Sequence, residues 1–349
     1  MHRAFNHPCA LASAQHMLMS MFVCLSTGEL RDAGWSTHQI SSALSCCLRR
    51  VRTGIYLVAA KCTHPDHDFV ATIAAATDVH LPVEVSGMHK RNEDLRIMVR
   101  SHVGYLPPQA VLSHRSALIV HGLPVPYFEN DSEPMAETIH PKHGVRHSTM
   151  LVRRRDLAES DIVMVDGIAV TSVLRTLADI ARDYSLAFAV AVFDAAARLS
   201  IASEQAIIDY CQANPPRTLG RKVDAAVKLM DGSRESVAES ILAVRFVEYS
   251  LPGFEPQVAF HDGQGRFIGR TDFADKKAKV IAEFDGEGKY HLPGKNPREE
   301  MEKERRREYK LRNLGYAVFR IRWPDLFSAD IFLRIKESVD RASRRADTA

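Results

Sequence analysis

The sequence is poor in cysteine, and the cysteines it has are scattered. Six occur in 349 residues, none of them in a Cys-x-x-Cys pair: Cys9, Cys24, Cys46, Cys47, Cys62 and Cys211. Disulfide frameworks and zinc cages usually show more regular spacing. We therefore predict reduced thiols, no structural zinc and a cytoplasmic location.

Long apolar runs and a strong charge of either sign are also missing. The longest apolar run, Leu186 to Phe193, is far too short to cross a bilayer, so no membrane partner is expected. The formal net charge is only +3. This balance neither requires nor excludes a nucleic-acid partner. Evidence for such a partner must therefore come from local clusters of basic residues.

The length and composition predict a multi-domain α/β protein. A chain of 349 residues that is 46% hydrophobic can form two or three domains. The pair Pro215-Pro216 interrupts the helical pattern, which indicates a boundary there. We predict an N-terminal module at 1–62, a central α/β domain at 63–216 and a C-terminal domain at 217–349.

The N-terminal module has the element order of a winged helix-turn-helix. Capping boxes that begin at Ser26 and Ser36 predict two helices joined by a tight turn at Gly34. The buried positions of the second helix are predicted to recur at Ile40, Leu44, Cys47 and Leu48. A basic stretch and a strand ending at Val58 follow.

The outward face of the second helix and the basic stretch supply candidate DNA contacts. Winged modules place the second helix in the major groove and the wing on phosphates. The candidate DNA-binding residues are His38, Ser41, Ser42, Arg49, Arg50 and Arg52. A plain helical hairpin packed on a sheet fits the same pattern equally well.

The central region alternates helices with short strands and offers no clear site. A hairpin with an Asp-Gly turn is predicted within 163–170, and helices at 113–121, 172–182, 186–199 and 203–213. His64 and His67 beside Asp68 invite a metal interpretation. Because no group has a spacing that closes a site on one helix face, we assign none.

The C-terminal region has the predicted order α-β-β-β-α-β. A capping box at Ser236 and Glu239 begins a helix that ends near Tyr249. The later elements are strands at 257–261, 266–274 and 279–285, a highly charged helix at 298–314 and a strand at 316–322.

Three acidic residues occupy these strands, where a purely structural sequence would avoid them. Glu283 and Asp285 project from one face of the third strand, and Asp272 lies in the second. A divalent cation relieves the cost of burying such a cluster, and hard oxygen ligands suit Mg²⁺ or Mn²⁺. We predict catalytic roles for these three acids, with Lys289 or His291 positioning water or neutralising phosphate.

An alternative interpretation fits the acids equally well. At solvated strand ends they would form surface ion pairs with the lysines at 276, 277 and 279. The following helix places Arg305 and Arg306 next to the proposed site as candidate DNA contacts. Its interspersed glutamates also fit a partly self-paired, solvated helix.

The C-terminal residues resemble a known nuclease branch. Segments 270–275, 280–286 with 289–291, 305–307 and 311–318 are similar to the very-short-patch-repair-like branch of the PD-(D/E)XK superfamily. The resemblance implies a restriction-endonuclease-like fold that holds magnesium, in which Glu239, Asp272, Glu283 and Asp285 act as metal ligands or as a base. Asp285 stands where the superfamily usually has Lys, although mismatch endonucleases of this branch carry His there, followed by Gly.

A shorter resemblance covers the front of the chain. Residues 30–58, with 112–117 and 121–124, are similar to actinobacterial proteins that carry an AbiEi-like antitoxin winged helix. That family binds DNA to autoregulate toxin operons, which implies a toxin operon promoter as a partner. The family's wing usually reads Arg-Gly-Val-Tyr, whereas this chain has Thr53-Gly54-Ile55-Tyr56.

Two functional hypotheses follow. The first is a DNA-binding protein whose C-terminal domain is a magnesium-dependent endonuclease. The second is a non-catalytic transcriptional regulator or type IV antitoxin in which a degenerate nuclease fold persists. The first requires the side chains of Asp272, Glu283 and Asp285 to converge near Glu239.

Overall fold

A computed structural model of the chain describes residues 22–76, 87–127, 134–286 and 297–346. The protein is mixed α/β and contains several sheets. It divides into two compact units, residues 1–180 and 181–349. None of the helices in the described ranges combines the length and the apolar character that crossing a bilayer requires.

The N-terminal module combines two short helices with a three-stranded sheet. Its elements are β1 (Cys24–Ser26), α1 (Thr27–Asp32), α2 (Thr37–Ala43), β2 (Leu48–Arg52) and β3 (Ile55–Val58). The strands are arranged in the order β1-β3-β2, and both pairings are antiparallel.

Both predicted capping boxes are present. The Ser26 hydroxyl accepts from the Glu29 N–H at 3.0 Å, and the Glu29 carboxylate accepts from the Ser26 N–H at 2.7 Å. Ser36 and Gln39 repeat the arrangement at the start of α2. Gly34 forms the turn between the helices with φ +87°, a conformation that favours glycine.

The second helix is shorter than predicted. We expected helical packing through Leu48, but α2 ends at Ala43 and Leu48 begins β2. Cys47 and Leu48 are buried as expected, whereas Leu44 is exposed. The chain turns after Ala43 and reaches the same core through a strand. The predicted burial of Cys47 and Leu48 was therefore right, whereas the burial of Leu44 and the helical interpretation beyond Ala43 were wrong.

The rest of the first unit is built on a six-stranded sheet in the order β6-β7-β5-β4-β9-β8. Its strands are β4 (Val111–Leu112), β5 (Ala136–His140), β6 (Val145–Arg146), β7 (Met150–Arg154), β8 (Ile162–Val165) and β9 (Ile168–Thr171). The helices are α3 (Asp68–Ala76), α4 (Gly87–Val103), α5 (His114–Val120) and α6 (Val173–Asp183). The predicted Asp-Gly turn joins β8 to β9, with positive φ at both Asp166 and Gly167.

The second unit begins with a helical layer. Its helices are α7 (Leu186–Arg198), α8 (Glu204–Ala213), α9 (Gly220–Leu229) and α10 (Val237–Glu248). Helix α7 is buried along most of its length and packs against α9 and α10. All four helices lie after residue 180, where the two compact units divide.

The second unit ends in a four-stranded sheet. Strands β10 (Glu255–His261), β11 (Phe267–Asp275), β12 (Val280–Phe284) and β13 (Ala317–Ile321) lie side by side in that order. The first two pairings are antiparallel and the third is parallel. Helix α11 (Pro297–Asn313) connects β12 to β13, and α12 (Ala329–Ala346) follows. From α10 to β13, the predicted order α-β-β-β-α-β is confirmed.

Opposite faces of this sheet carry different helices. On one face, Leu311 of α11 packs with Ala274 of β11 and Ile281 of β12. On the other face, Phe273 contacts Phe246 of α10, which also contacts Phe332 of α12. Glu283 of β12 belongs to the α11 face, because Arg307 of α11 contacts its carboxylate.

Candidate active site

Asp272 and Glu283 lie next to each other on neighbouring strands. Phe273 of β11 pairs with Ala282 of β12, and extending this register by one residue places Asp272 opposite Glu283. Cross-strand partners have Cβ atoms about 5 Å apart. The Phe284 N–H also donates to the Asp272 Oδ2 at 2.7 Å. The structure thus brings two of the predicted acids together.

Glu239 approaches the same place from the first turn of α10. It is only 5% exposed. Its carboxylate accepts hydrogen bonds from the Glu235 N–H at 3.0 Å, the Ser236 hydroxyl at 2.8 Å and the Gln257 side-chain amide at 2.6 Å. Burial raises the pKa of Glu239, and the negative charge of Asp272 adds to that rise.

Gln257 has an unusual backbone conformation at this point. Its φ is +54°, a region that non-glycine residues seldom occupy. The strand pairing skips it, since Pro256 pairs with Phe273 and Val258 with Thr271, so Gln257 lies across from Asp272. Strained residues concentrate at functional sites. Here the strain accompanies the hydrogen bond that joins Gln257 to Glu239.

Two arginines hold the carboxylate of Glu283. Arg307 of α11 lies 2.8 Å from it, and Arg320, its register partner on the parallel strand β13, lies 3.2 Å away. Glu283 is 3% exposed. Burial raises its pKa against the opposing effect of the two guanidinium groups, and the charge of Asp272 also raises it.

The three carboxylates are neighbours, but they do not enclose one point. Glu239, Asp272 and Glu283 come from α10, β11 and β12, and the charge of Asp272 acts on both glutamates. Among the described residues, one group of potential metal ligands has all its ligand atoms within 4.8 Å of one another. That group does not include these acids. To share a cation, Glu283 would have to release an arginine.

Asp285 lies further along the same face. It lines a groove of about 430 Å³ together with Glu304, Arg305 and Tyr309 of α11. Its Oδ1 is buried and has no hydrogen-bond partner among the described residues. Arg305 is exposed and lines the same groove. A predicted DNA contact, Arg305, and a predicted metal ligand, Asp285, therefore lie on one groove.

The structure describes only one of the three remaining C-terminal candidates, Arg306. Arg306 is exposed and pairs with Glu302 on its own helix at 3.1 Å. Lys289 and His291 lie outside the described residues.

The polar candidates in the N-terminal module lie on one short helix. His38 and Ser41 of α2 are exposed, and Ser42 is half-buried. Helix α2 has only seven residues. Its exposed face is therefore short, and it carries no basic residue other than His38.

The three arginines of β2 differ in accessibility. Arg49 is exposed and lies 3.5 Å from Asp94, and exposed Arg50 stacks over the Tyr56 ring. Arg52 donates to the Ser101 carbonyl at 2.8 Å and is half-buried. Arg49 and Arg50 can reach a phosphate, whereas Arg52 fastens β2 to α4.

The structure also assembles a cluster that the sequence analysis did not assign. Cys46, Cys47, Cys62 and His67 bring their ligand atoms within 4.8 Å of one another. The sequence signal was present in the vicinal cysteine pair and in the Cys-x-x-x-x-His spacing. The prediction of no structural zinc rested on the lack of a Cys-x-x-Cys pair, and His67 was assigned to no site because no spacing closes a site on one helix face.

A comparison of the chain with models of protein families and with curated proteins found no match.

Proposed function

We propose that this chain is a DNA-binding protein whose C-terminal unit hydrolyses phosphodiester bonds with Mg²⁺ or Mn²⁺. The observation that carries the proposal is the approach of Glu239, Asp272 and Glu283 from three different elements, α10, β11 and β12. The element order around them agrees with the resemblance to the PD-(D/E)XK nuclease superfamily.

The donor set fits a hard divalent cation. Glu239 and Glu283 are buried carboxylates and Asp272 is half-buried between them. Such oxygen ligands suit magnesium. When bound, the ion would supply a Lewis acid for a phosphate oxygen and an activated water. The residues that would hold it are Glu239, Asp272 and Glu283, with Asp285 further along the same face.

The surrounding cations fit a phosphate-bearing substrate. Arg307 and Arg320 balance the charge of Glu283. Either guanidinium can exchange its carboxylate for a phosphate, because both anions accept paired hydrogen bonds from arginine. Arg305 on the neighbouring groove, with Arg49 and Arg50 of the N-terminal module, provides further contacts to the DNA backbone.

Cleavage of supercoiled plasmid tests the proposal. We expect nicking that needs Mg²⁺ or Mn²⁺, stops with EDTA and falls on the order of 100-fold or more in Asp272→Asn and Glu283→Gln. Glu255→Gln is the matched control, because Glu255 is an exposed acid of the same sheet that pairs with Lys276. Cleavage that survives both carboxylate changes eliminates the nuclease proposal.

A second candidate function is supported by the arginines at Glu283. Two guanidinium groups neutralise this acid, as a metal ion would. Asp285 stands where the resembled superfamily usually has Lys. Both features fit a non-catalytic regulator or type IV antitoxin that binds a toxin operon promoter through the N-terminal module.

Promoter binding tests the second candidate. We expect a shift of the upstream promoter fragment that persists in EDTA and weakens in the double variant Arg49→Gln/Arg50→Gln. Each lost phosphate contact should reduce the slope of log affinity against log salt by about 0.9. Arg266→Gln, a change at an exposed arginine of the second unit, is the control. A shift unchanged by the double variant removes the N-terminal module as the DNA reader.

A further inference from the structure

Four metal-ligand side chains converge in the N-terminal module. Cys46 and Cys47 lie in the turn between α2 and β2, Cys62 follows β3, and His67 ends a short 3-10 helix (Pro65–His67). They come from two separate segments of the chain, 46–47 and 62–67. Cys47 and His67 are buried, whereas Cys46 is exposed and Cys62 half-buried, so solvent reaches one side of the cluster.

The separations of the ligand atoms match a tetrahedral site. The Cys46 sulfur lies 3.7 Å from the Cys47 sulfur and 3.9 Å from the Cys62 sulfur. The Nδ1 of His67 lies 3.3, 3.8 and 3.4 Å from the sulfurs of Cys46, Cys47 and Cys62. With bonds of about 2.3 Å to sulfur and 2.0 Å to nitrogen, a tetrahedral zinc ion separates two sulfurs by about 3.8 Å and sulfur from nitrogen by about 3.5 Å.

Hydrogen bonding does not account for this convergence. The Nδ1 of a neutral imidazole either donates one hydrogen or accepts one, yet three sulfurs surround that atom in His67. Thiols are weak donors and weak acceptors. A cation at the centre satisfies all four groups at once.

We propose that Cys46, Cys47, Cys62 and His67 form a structural zinc site. Three sulfurs and one nitrogen in a tetrahedron suit Zn²⁺ rather than a hard cation such as Mg²⁺. Four protein ligands leave no open position for a substrate, which is the pattern of a structural site. In an iron–sulfur cluster the ligands bind different irons, so the outer sulfurs would be farther apart than they are here.

The site fastens the end of α2 to the segment that leaves the β2-β3 hairpin. A backbone hydrogen bond of 2.8 Å from Ala59 to the Cys47 carbonyl already joins these two parts. Cys47 belongs to the core that also contains Trp35, Ile40 and Val58. Binding replaces three thiol protons by the metal and releases them to solvent, so affinity rises with pH.

Two rings fix the orientation of His67. The ring of His64 stacks on it with centroids 4.5 Å apart, and the ring of Trp35 lies 5.3 Å away at an angle of 32°. Trp35 is one of two tryptophans in the chain. Its fluorescence is therefore a local reporter, because a Co²⁺ ion bound beside His67 quenches it.

Metal analysis of the full-length protein tests the site. We expect about one equivalent of zinc per chain after purification in reductant without added chelator. After removal of zinc, Co²⁺ should restore one equivalent, give the visible bands of a tetrahedral complex and a thiolate charge-transfer band, and quench Trp35 in a Trp323→Phe background.

Ligand variants identify the residues. Cys47→Ala and Cys62→Ala should each lower the zinc content at least tenfold, and Cys24→Ala should leave it unchanged. Cys24 is the matched control because it lies on β1 of the same sheet but outside the cluster. Full zinc content in either ligand variant overturns the assignment.

The unmodified chain provides a test that does not depend on the folding of a variant. Failure to take up stoichiometric Zn²⁺ or Co²⁺ after reduction overturns the proposal. An octahedral cobalt spectrum, or a disulfide between Cys46 and Cys47 or Cys62 in freshly reduced protein, also overturns it.

Discussion

The acidic cluster of the C-terminal unit and the cysteine-histidine cluster of the N-terminal unit differ in the protein groups that contact their ligand atoms. Three acids of the C-terminal unit already have donors from the protein: Glu283 has two guanidinium groups, Asp272 has a backbone N–H and Glu239 has three donors. In the cysteine-histidine cluster, the contacts among the four ligand atoms are weak sulfur contacts.

This difference teaches how strongly each site should depend on a metal. At Glu283 a cation has to displace an arginine, so its binding free energy is reduced by the cost of breaking an ion pair. Among the described residues, Cys47 and His67 contact thiols and aromatic rings rather than a carboxylate or a guanidinium group. We therefore expect a tight, structural metal in the N-terminal unit and a weak, exchangeable one in the C-terminal unit.

Removing zinc should produce the largest effect on stability. A ligand present at about 1,000 times its dissociation constant stabilises the native state by about 4 kcal/mol. For a unit of this size, that corresponds to a fall in Tm of about 8–16 °C on chelation. Thermal unfolding followed by Trp35 fluorescence in Trp323→Phe measures it.

Thermal unfolding followed by the fluorescence of the other tryptophan shows whether the effect of zinc is confined to the first unit. Trp323 in a Trp35→Phe background reports the second unit, whose transition should not move when zinc is removed. A fall of equal size in both transitions would contradict a local zinc site, and no fall at Trp35 would contradict a structural one.

Arg307→Ala should have the next largest effect. Glu283 would keep only Arg320 as a charged partner in a buried position, and breaking a buried pair costs about 3 kcal/mol. Millimolar Mg²⁺ should recover part of this loss, because the ion can take the place of the missing charge. Denaturant unfolding with and without Mg²⁺, followed by Trp323, measures both quantities.

Arg306→Ala is the matched control for Arg307→Ala. The two arginines are neighbours on α11, but Arg306 forms an exposed pair with Glu302. Its loss should cost less than about 1 kcal/mol and should not respond to Mg²⁺. If Mg²⁺ recovers nothing in Arg307→Ala, the carboxylates do not bind a cation and the acidic cluster is purely structural.

Features whose determinants are local could be predicted from the sequence. Capping boxes and the Asp166-Gly167 turn depend on residues within one short segment. The predicted end of α2 was wrong, because the burial of Cys47 and Leu48 fits a helix equally well as a turn followed by a strand.

The contacts that distinguish the two clusters depend on distant segments. Arg320 reaches Glu283 only because β13 pairs parallel to β12, and that register is not encoded in the spacing of either residue. Cys62 and His67 meet Cys46 only because β3 returns the chain to the end of α2. Neither set of contacts could be predicted from a sequence pattern within one helix or strand.

The smallest expected effect concerns the pH dependence of the second unit. Burial raises the pKa of Glu239 above its ordinary value. The folded state therefore binds this proton more tightly than the unfolded state. The resulting stabilisation is fully present below the ordinary pKa of glutamate, about 4.3, and is lost as pH rises through the raised value.

Glu239→Gln removes this titration, so the free energy of unfolding should fall less between pH 4 and neutral pH than in the unmodified chain. Glu255→Gln, at an exposed acid of the same sheet, should leave the slope unchanged. A bound Mg²⁺ favours the ionised carboxylate, so it should stabilise the unmodified chain at neutral pH more than Glu239→Gln. Equal stabilisation of both chains would show that Glu239 is not a ligand, and the proposed ion would then rest on Asp272 and Glu283 alone.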